Sequence, residues 1–453
     1  MANIIFWSSI FPLQKTRPIG CYQLAHHLRK NGISAQVIDF CGLFSSRELL
    51  DITAKFVDKH TRILGISTSF WMDNTFPLRK TILEFKDNNP NIEIVFGGPR
   101  ANNPLYKGAY DKVFVGESEN QLTQYIFEIF DKDTSKIIPF DITKLDHRFI
   151  AQDCILTGEV LPIELGRGCI FKCKFCSHHN LGKPKYTYQR QYDLIYDEML
   201  YNHDHFGTTH YLFLDDTVNE DPDKIKALAD INYKLDNKIN WNGYLRADLV
   251  WSNKDSSRYL IESGLKSCFF GIESLHPKAS AIIGKGWSGK HAKDFLPHLY
   301  YNLWNKHVSI WNNFIIGLPY ETEQDIDNSV QWCLENNFGM NKFVGLNLYL
   351  NREDTGTFSE FTRNYRIYGY NVNEKGEFYN KEWTSTKINQ KVDAVDRRLL
   401  QTNKLSSWLL FDMYNVTRYP LDTLRDYSIN YNCIKELINF KESYKSKLLE
   451  LEV

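Results

Sequence analysis

The sequence predicts an α/β protein with two parallel sheets in series and a mainly helical C-terminal region. Two observations support this prediction: apolar runs alternate with amphipathic helical patterns over residues 1–132, and a second alternating series begins near residue 161. Apolar strands that alternate with helices are typical of parallel sheets covered on both faces. The length of 453 residues fits several domains, since a domain averages roughly 150 residues.

Residues 1–132 are predicted to form a doubly wound domain with five strands. These strands begin at Asn3, Ala35, Arg62, Ile92 and Lys112. Sheets of this kind bind ligands beyond the carboxyl ends of their strands. The candidate ligand crevice is therefore made by the loops after the strands, at residues 8–20, 67–73, 97–104 and 116–119.

A second domain is predicted over residues 161–365, after an irregular linker at 133–160 that includes Pro139. Its six strands begin at Ile163, His210, Ile239, Ser267, Val308 and Lys342. Six strand–helix units are too few for a closed eight-fold barrel, so we expect a partial barrel with its function on the loops after the strands. Residues 366–453 are predicted to be a helical cap over the barrel mouth, with helices at 393–412 and 421–453.

Composition excludes several classes of protein. Lys and Arg number 54 against 55 Asp and Glu, a net charge of −1 that argues against a nucleic-acid or anionic-membrane binder. No apolar run reaches the ~18 residues that span a bilayer, and the first residues lack the basic start of a secretory signal. Nine cysteines, an odd number, disfavour a disulfide framework. We expect a cytoplasmic protein.

Three of the cysteines carry the strongest chemical signal. Cys169, Cys173 and Cys176 lie on one loop directly after the first strand of the second domain. Three thiolates on a short loop suit three corners of an iron–sulfur cubane and leave the fourth iron open. The alternatives are a zinc site completed by His178 or His179, or three unrelated thiols. Zinc sites usually draw ligand pairs from two segments, and the sequence has no second pair.

This Cys-x-x-x-Cys-x-x-Cys loop, with the aromatic Phe175 before its third cysteine, resembles the signature of the radical SAM superfamily. The resemblance implies a 4Fe-4S cluster whose unique iron binds S-adenosylmethionine (SAM) and reductively cleaves it to a 5'-deoxyadenosyl radical. It extends over nearly the whole chain.

Later strands end in segments that are similar to SAM-binding segments of the family. The resemblance implies that LDDT meets the amino group of SAM, that YLRAD supplies a carboxylate-facing arginine, that GIES contacts the ribose, and that IIGLPYET borders the adenine. The implied SAM residues, with Phe175, are Asp215, Asp216, Arg246, Glu273, Ser274 and Gly317. The alternative is a structural role, in which these charged residues form salt bridges along the rim of the barrel.

The first domain resembles the flavodoxin-like, cobalamin-binding domain of one radical SAM subclass. The segments that carry this resemblance are RPIGCYQL, GISTS, FGGPRAN and FVGESE. They imply a cobalamin site at Gly20, Ser67, Thr68, Ser69, Trp71, Gly97, Gly98, Gly116 and Glu117. The Asp-x-His-x-x-Gly motif that gives cobalt a histidine is missing, so we expect any cobalamin to be bound without a protein histidine on cobalt.

Together these features predict a radical SAM enzyme, in particular a cobalamin-dependent methyltransferase that acts on an unactivated carbon of a small molecule. A flavodoxin or ferredoxin is implied as the reductant, with no nucleic-acid or membrane partner. The alternatives are a non-methylating radical SAM enzyme that rearranges, cyclises or oxidises its substrate, and an iron–sulfur electron carrier. The sequence identifies neither the substrate nor a catalytic residue that contacts it.

Overall fold

A computed structural model describes residues 2–9, 16–68, 77–178, 181–236, 238–336, 338–346, 348, 359–401 and 427–452. These residues form two parallel sheets, of five and six strands, and a small two-stranded hairpin. No helix in these ranges combines the length and the apolar character needed to cross a membrane.

The first sheet is doubly wound, as predicted. Its strands are β1 (Ile4–Trp7), β2 (Ala35–Ile38), β3 (Ile63–Ser67), β4 (Glu93–Gly97) and β5 (Lys112–Val113). Its helices are α1 (Ile19–Lys30), α2 (Ser46–Ala54), α3 (Leu78–Asn88) and α4 (Glu119–Ile129). The strands pair in the order β2-β1-β3-β4-β5, all parallel.

Both faces of this sheet are covered. Successive side chains of a strand point to opposite faces, and β1 follows this rule: Ile4 and Phe6 belong to one apolar cluster, while Ile5 and Trp7 belong to the other. Because every residue of β1 is buried, the strand reads as an uninterrupted apolar run. This packing leaves the carboxyl ends of the strands as the accessible edge.

The second sheet is a partial barrel of six strands in sequence order, which confirms the predicted fold class. Its strands are β6 (Leu161–Ile163), β7 (His210–Phe213), β8 (Asn240–Leu245), β9 (Leu265–Glu273), β10 (Ser309–Ile316) and β11 (Met340–Gly345). Its helices are α5 (Tyr192–Phe206), α6 (Pro222–Lys234), α7 (Ala247–Ser252), α8 (Lys254–Glu262), α9 (Pro277–Ile282), α10 (Gly289–His298) and α11 (Glu323–Asn336).

The first barrel strand ends earlier than the sequence predicts. We expected it to begin at Ile163, whereas β6 ends there. Beyond it, the Leu165 N–H donates to the side chain of Asp215 (2.8 Å), and Gly166 forms an isolated bridge with Gln189. These contacts divert the backbone from the sheet, so the cysteine loop begins directly at the barrel mouth.

The predicted linker is irregular but packed. It contains three short 3-10 turns, at Thr134–Lys136, Ile142–Lys144 and Ala151–Asp153. Glu159 forms a buried ion pair with Arg17 of the first domain (2.6 Å), and Asp153 pairs with Arg29 of α1 (2.9 Å). The linker is therefore tied to the first domain by two ion pairs.

The C-terminal region divides between the two domains. It contains α12 (Glu360–Arg363), β12 (Asn371–Val372), β13 (Phe378–Tyr379), α13 (Ser385–Gln401) and α14 (Tyr427–Glu450). Its first part lies at the barrel mouth, where the Phe361 N–H donates to the carbonyl of Lys174 on the cysteine loop (3.0 Å). Helix α13 packs beside β11.

Helix α14 corrects the prediction of a C-terminal cap over the barrel. Its residues Tyr444 and Leu448 are fully buried in the core of the first domain. The Asp39 N–H donates to the Tyr444 hydroxyl oxygen (2.9 Å), and the Tyr444 ring packs edge-on against Phe40. The helix docks there because its aromatic face matches an apolar surface beyond β2.

Candidate functional site

The three cysteines of the loop after β6 meet at one cavity. Cys169, Cys173 and Cys176 line a cavity of about 210 Å³ at the barrel mouth. Cys169 is buried, and the other two are partly exposed. The structure thus brings the three thiols to one side of a single space, as a cluster with three protein ligands requires.

Backbone hydrogen bonds fix the cysteine loop. The carbonyl of Cys169 accepts from Gly182 N (2.7 Å) and from Lys183 N (3.2 Å), and the Cys176 N–H donates to the carbonyl of Cys173 (3.0 Å). The Lys174 N–H donates to the carbonyl of Ile283, just after α9 (3.1 Å). The loop is therefore held from both of its sides.

The electrostatic surroundings of the thiols are mixed. Burial raises the pKa of Cys176 to about 11, the His178 N–H lowers it by donating to the sulfur, and the neighbouring Cys173 raises it. The Arg246 Nη1 donates to Cys173 Sγ (3.3 Å). Arg246 is itself held by a bidentate pair with Asp248, whose shorter contact is 2.6 Å. A cation thus lies beside the thiol that becomes a thiolate on binding iron.

The thiol donors fit an iron–sulfur cluster. Soft sulfur ligands on one loop suit iron, and the three thiols would hold three irons of a cubane cluster at this cavity. Within the described ranges, no three His, Cys, Asp or Glu side chains are arranged to hold a single metal ion. Of the two histidines in the zinc alternative, His178 lines the cavity, and His179 lies outside the described residues.

Four of the predicted SAM residues reach this cavity. Phe175, Asp216, Arg246 and Glu273 all line it. Glu273 has a left-handed backbone (φ 69°) at the end of β9, where the pairing with β10 is irregular. The cavity therefore combines the thiols with an arginine, two carboxylates and an aromatic ring.

The other three predicted SAM residues lie elsewhere. Asp215 is buried, pairs with Lys224 and accepts from Leu165 N. The Ser274 hydroxyl donates to Glu321 (2.7 Å), and Gly317 (φ 105°) packs against α13 while its carbonyl accepts from the Tyr370 hydroxyl. None of the three is among the residues that line the cavity.

Lys285 is a cavity residue that sequence reasoning missed. It lines the cavity, its Nζ lies 2.8 Å from Glu273 Oε1, and it donates to the carbonyl of Gly271. Its neighbours Gly284 and Gly286 mark a turn in the sequence. That turn signal alone gave no indication of a ligand site.

A second cavity, of about 310 Å³, lies between the first domain and the barrel. The predicted cobalamin residues that line it are Gly20, Ser67, Gly97, Gly98, Gly116 and Glu117. Thr68 is not among the lining residues, and its hydroxyl donates to the carbonyl of Gly97 (2.9 Å). Ser69 and Trp71 lie outside the described residues.

Glycines leave this cavity open. A Cβ atom built on Gly20, Gly97 or Gly116 would meet no atom within 4 Å, so any side chain there would project into free space. Gly98 and Gly116 also have left-handed φ angles of 93° and 80°, which favour glycine. These positions let the backbone approach a large ligand closely, which fits a corrin.

The two cavities adjoin each other. His178 and Asp216 line both of them, and His178 Nε2 lies 3.3 Å from Asp216 Oδ1. Arg167, two residues before Cys169, also lines the inter-domain cavity and donates to Glu119 at the start of α4 (2.8 Å). The cysteine loop is thus shared between the two sites.

A three-cysteine loop on a partial barrel behind a doubly wound domain defines the class: enzymes that bind SAM at an iron–sulfur cluster. Residues 163–333 match the family model described as the radical SAM superfamily. The partial barrel is therefore a radical SAM domain. The matched segment runs from the last residue of β6 into α11 and contains all three cysteines.

Two curated relatives match most of the chain. One, from Pyrococcus horikoshii, carries the name uncharacterized methyltransferase and is 25% identical over 70% of this chain and 72% of its own length. The other is the bacteriochlorophyllide d C-8(2)-methyltransferase of Chlorobaculum tepidum, 24% identical over 73% of this chain and 74% of its own length.

Solved structures share the fold. The radical SAM methyltransferase TsrM from Kitasatospora setae, with tryptophan and a SAM analogue bound, matches with a TM-score of 0.61 at 14% identity over 80% of this chain and 75% of its own. OxsB with aqua-cobalamin bound matches with a TM-score of 0.65 at 15% identity over 94% of this chain and 71% of its own.

Proposed function

We propose that this protein is a cobalamin-dependent radical SAM methyltransferase that acts on a carbon atom of a small molecule in the cytoplasm. One observation carries the proposal: the inter-domain cavity and the cysteine cavity share His178 and Asp216. A corrin in the first cavity would therefore lie beside SAM in the second. Direct transfer between two bound groups needs this proximity.

The relatives support methyl transfer. Both curated relatives carry methyltransferase names. A TsrM structure contains cobalamin and a [4Fe-4S] cluster, and an OxsB structure contains aqua-cobalamin and SAM. Because this chain shares their fold, we propose that it binds cobalamin, a [4Fe-4S] cluster and SAM.

The cysteine cavity offers a complementary partner for each group of SAM. Arg246 and Lys285 supply positive charge for its carboxylate, and Asp216 supplies negative charge for its ammonium. Glu273 can accept from ribose hydroxyls. When bound, the cluster supplies the electron that cleaves SAM, and cobalamin supplies the methyl group.

The inter-domain cavity offers backbone and carboxylate groups to a corrin. Gly97, Gly98 and Gly116 place main-chain atoms at its wall, and Glu117 can accept from corrin amides. Among its described lining residues, the single histidine is His178, on the barrel side. His26 and His27 of α1 instead pack against His147 and Phe140 of the linker. Cobalamin would therefore bind without a ligand histidine from the first domain.

Anaerobic purification after growth with cobalamin tests the proposal. We expect corrin absorption, about four iron atoms per chain, release of 5'-deoxyadenosine from SAM under a flavodoxin or ferredoxin reductant, and loss of label from methyl-labelled cobalamin to substrate extracts. SAM cleavage without corrin retention would contradict the methyltransferase and favour a non-methylating radical enzyme. A reducible cluster without SAM cleavage would favour an electron carrier.

A further inference from the structure

Four buried charged side chains lie behind the loop that carries Cys169. We name Lys183, Asp215, Glu220 and Lys224 the ionic quartet; each is at most 9% exposed. Lys224 Nζ lies 2.5 Å from Asp215 Oδ1 and 3.9 Å from Glu220 Oε1, and Lys183 Nζ lies 3.2 Å from Glu220 Oε1. Two cations and two anions thus form one continuous, neutral network.

The ionic quartet holds the backbone on both sides of Cys169. Asp215 Oδ2 accepts from Leu165 N (2.8 Å), and Glu220 Oε2 accepts from Ile170 N (3.4 Å). Lys183 Nζ donates to the carbonyl of Arg167 (2.9 Å), and its own N–H donates to the carbonyl of Cys169 (3.2 Å). Three of the four members therefore bind the segment 165–170 directly.

Two members of the quartet lie directly beside this ligand loop: Glu220 contacts the backbone N–H of Ile170, and Lys183 contacts the carbonyl of Cys169. In a buried site such charges are screened much less than at the surface. A buried ion pair is a weak source of stability, because desolvation offsets the attraction. A network of this size directly behind one cysteine therefore calls for a role besides stability.

We propose that the ionic quartet positions Cys169 and sets the reduction potential of the cluster bound there, with Glu220 and Lys183 as positioning residues of opposite effect. The inference rests on the cluster assigned to Cys169, Cys173 and Cys176. It goes beyond the proposed function because it concerns the electron step and not the methyl step.

The sign of each effect follows from charge. Reduction adds one negative charge to the cluster. Glu220→Gln removes a negative charge and leaves the quartet with a net positive charge, so reduction becomes easier. Lys183→Met leaves a net negative charge, so reduction becomes harder. The double variant Lys183→Met/Glu220→Gln is neutral again and is expected to return towards the wild-type potential.

A redox titration of the reconstituted full-length chain, followed by electron paramagnetic resonance, tests the inference. At a fixed potential, we expect the ratio of reduced to oxidised cluster to rise about tenfold in Glu220→Gln and to fall about tenfold in Lys183→Met, about 59 mV each way for one electron. Lys224→Met removes the other cation and is expected to shift in the same direction as Lys183→Met. If Lys183→Met does not fold, Lys224→Met still tests the effect of removing a cation.

Glu159→Gln is the matched control. Its partner is Arg17 and the pair is fully buried, but it joins the linker to the first domain. We expect it to lower thermal stability without moving the potential. Shifts of the same sign in Glu220→Gln and Lys183→Met, unchanged potentials in both, or an equal shift in Glu159→Gln would overturn the inference. Absence of a cluster from the wild-type chain would instead overturn the proposed function.

Discussion

At the scale of single residues, glycines without a side chain shape the cavity walls as much as the larger residues do. Gly97 ends β4, lines the inter-domain cavity and leaves open space where a side chain would stand. Replacement by a larger residue would fill part of that space.

A size series at Gly97 is expected to reduce corrin binding stepwise. Gly97→Ala should weaken retention slightly, and Gly97→Leu should abolish it, because the branched side chain occupies the ligand volume. Corrin absorbance per chain measures the effect, and unchanged iron content controls for folding. Wild-type corrin retention in Gly97→Leu would show that the ligand binds elsewhere.

Glu321 makes stability depend on pH. It is 2% exposed, and burial raises its pKa from the ordinary value of 4.5 to about 8. Between these values the folded chain keeps a proton that the unfolded chain releases, so unfolding free energy falls as pH rises. The slope contributed by one group is at most about 1.4 kcal/mol per pH unit.

Glu321→Gln is expected to remove this contribution. Relative to the wild type, the variant should gain stability steadily from pH 5 to pH 8 in denaturant titrations. Glu323→Gln, an exposed neighbour with a lowered pKa, is the control and should show no such gain. A constant difference between Glu321→Gln and wild type across this range would refute the buried proton.

At the scale of elements, the sequence predicted the strands well and the docking of the last helix poorly. Most strands of the two sheets are rich in apolar residues and are bounded by turn residues, so their approximate positions follow from local pattern. The apolar face of α14 indicates only that it must be buried. Whether it covers the barrel or the first domain depends on the shape of surfaces far away in the chain.

The candidate site was likewise predicted only in part from the sequence. The spacing of Cys169, Cys173 and Cys176 specified the loop, but the sequence could not tell which of Asp215 and Asp216 faces the cavity. Consecutive residues of an extended strand end point to opposite sides. Asp216 lies on the side of Leu214, which lines the inter-domain cavity, and Asp215 turns towards Lys224. Lys285 was missed because no motif surrounds it.

Helix α14 is expected to stabilise the first domain. Tyr444→Ala removes a fully buried ring and should lower the free energy of unfolding by about 3–5 kcal/mol. Tyr444→Phe removes one hydrogen bond and should lower it by about 1 kcal/mol. Leu449→Ala on the same helix, 49% exposed, is the control and should change little. Thermal unfolding of the three variants measures the order, and equal losses in all three would argue against this docking.

At the scale of the whole molecule, one cavity lies at the barrel mouth, the other lies between the two domains, and the two share a wall. Arg167 joins the cysteine loop to α4, and the linker holds the first domain through the Arg17–Glu159 pair. These contacts fix the position of one cavity relative to the other. A methyl group from one and a radical from the other could therefore reach the same substrate.

Magnetic coupling between the two cofactors tests this account most directly. With cobalt(II) corrin and a reduced cluster in the same chain, we expect electron paramagnetic resonance signals broadened or split relative to either one alone. The variant with Cys169, Cys173 and Cys176 replaced by Ala should show the unperturbed cobalt signal. A simple sum of two undisturbed signals in the wild-type chain would contradict the adjacency on which the proposed methyl transfer depends.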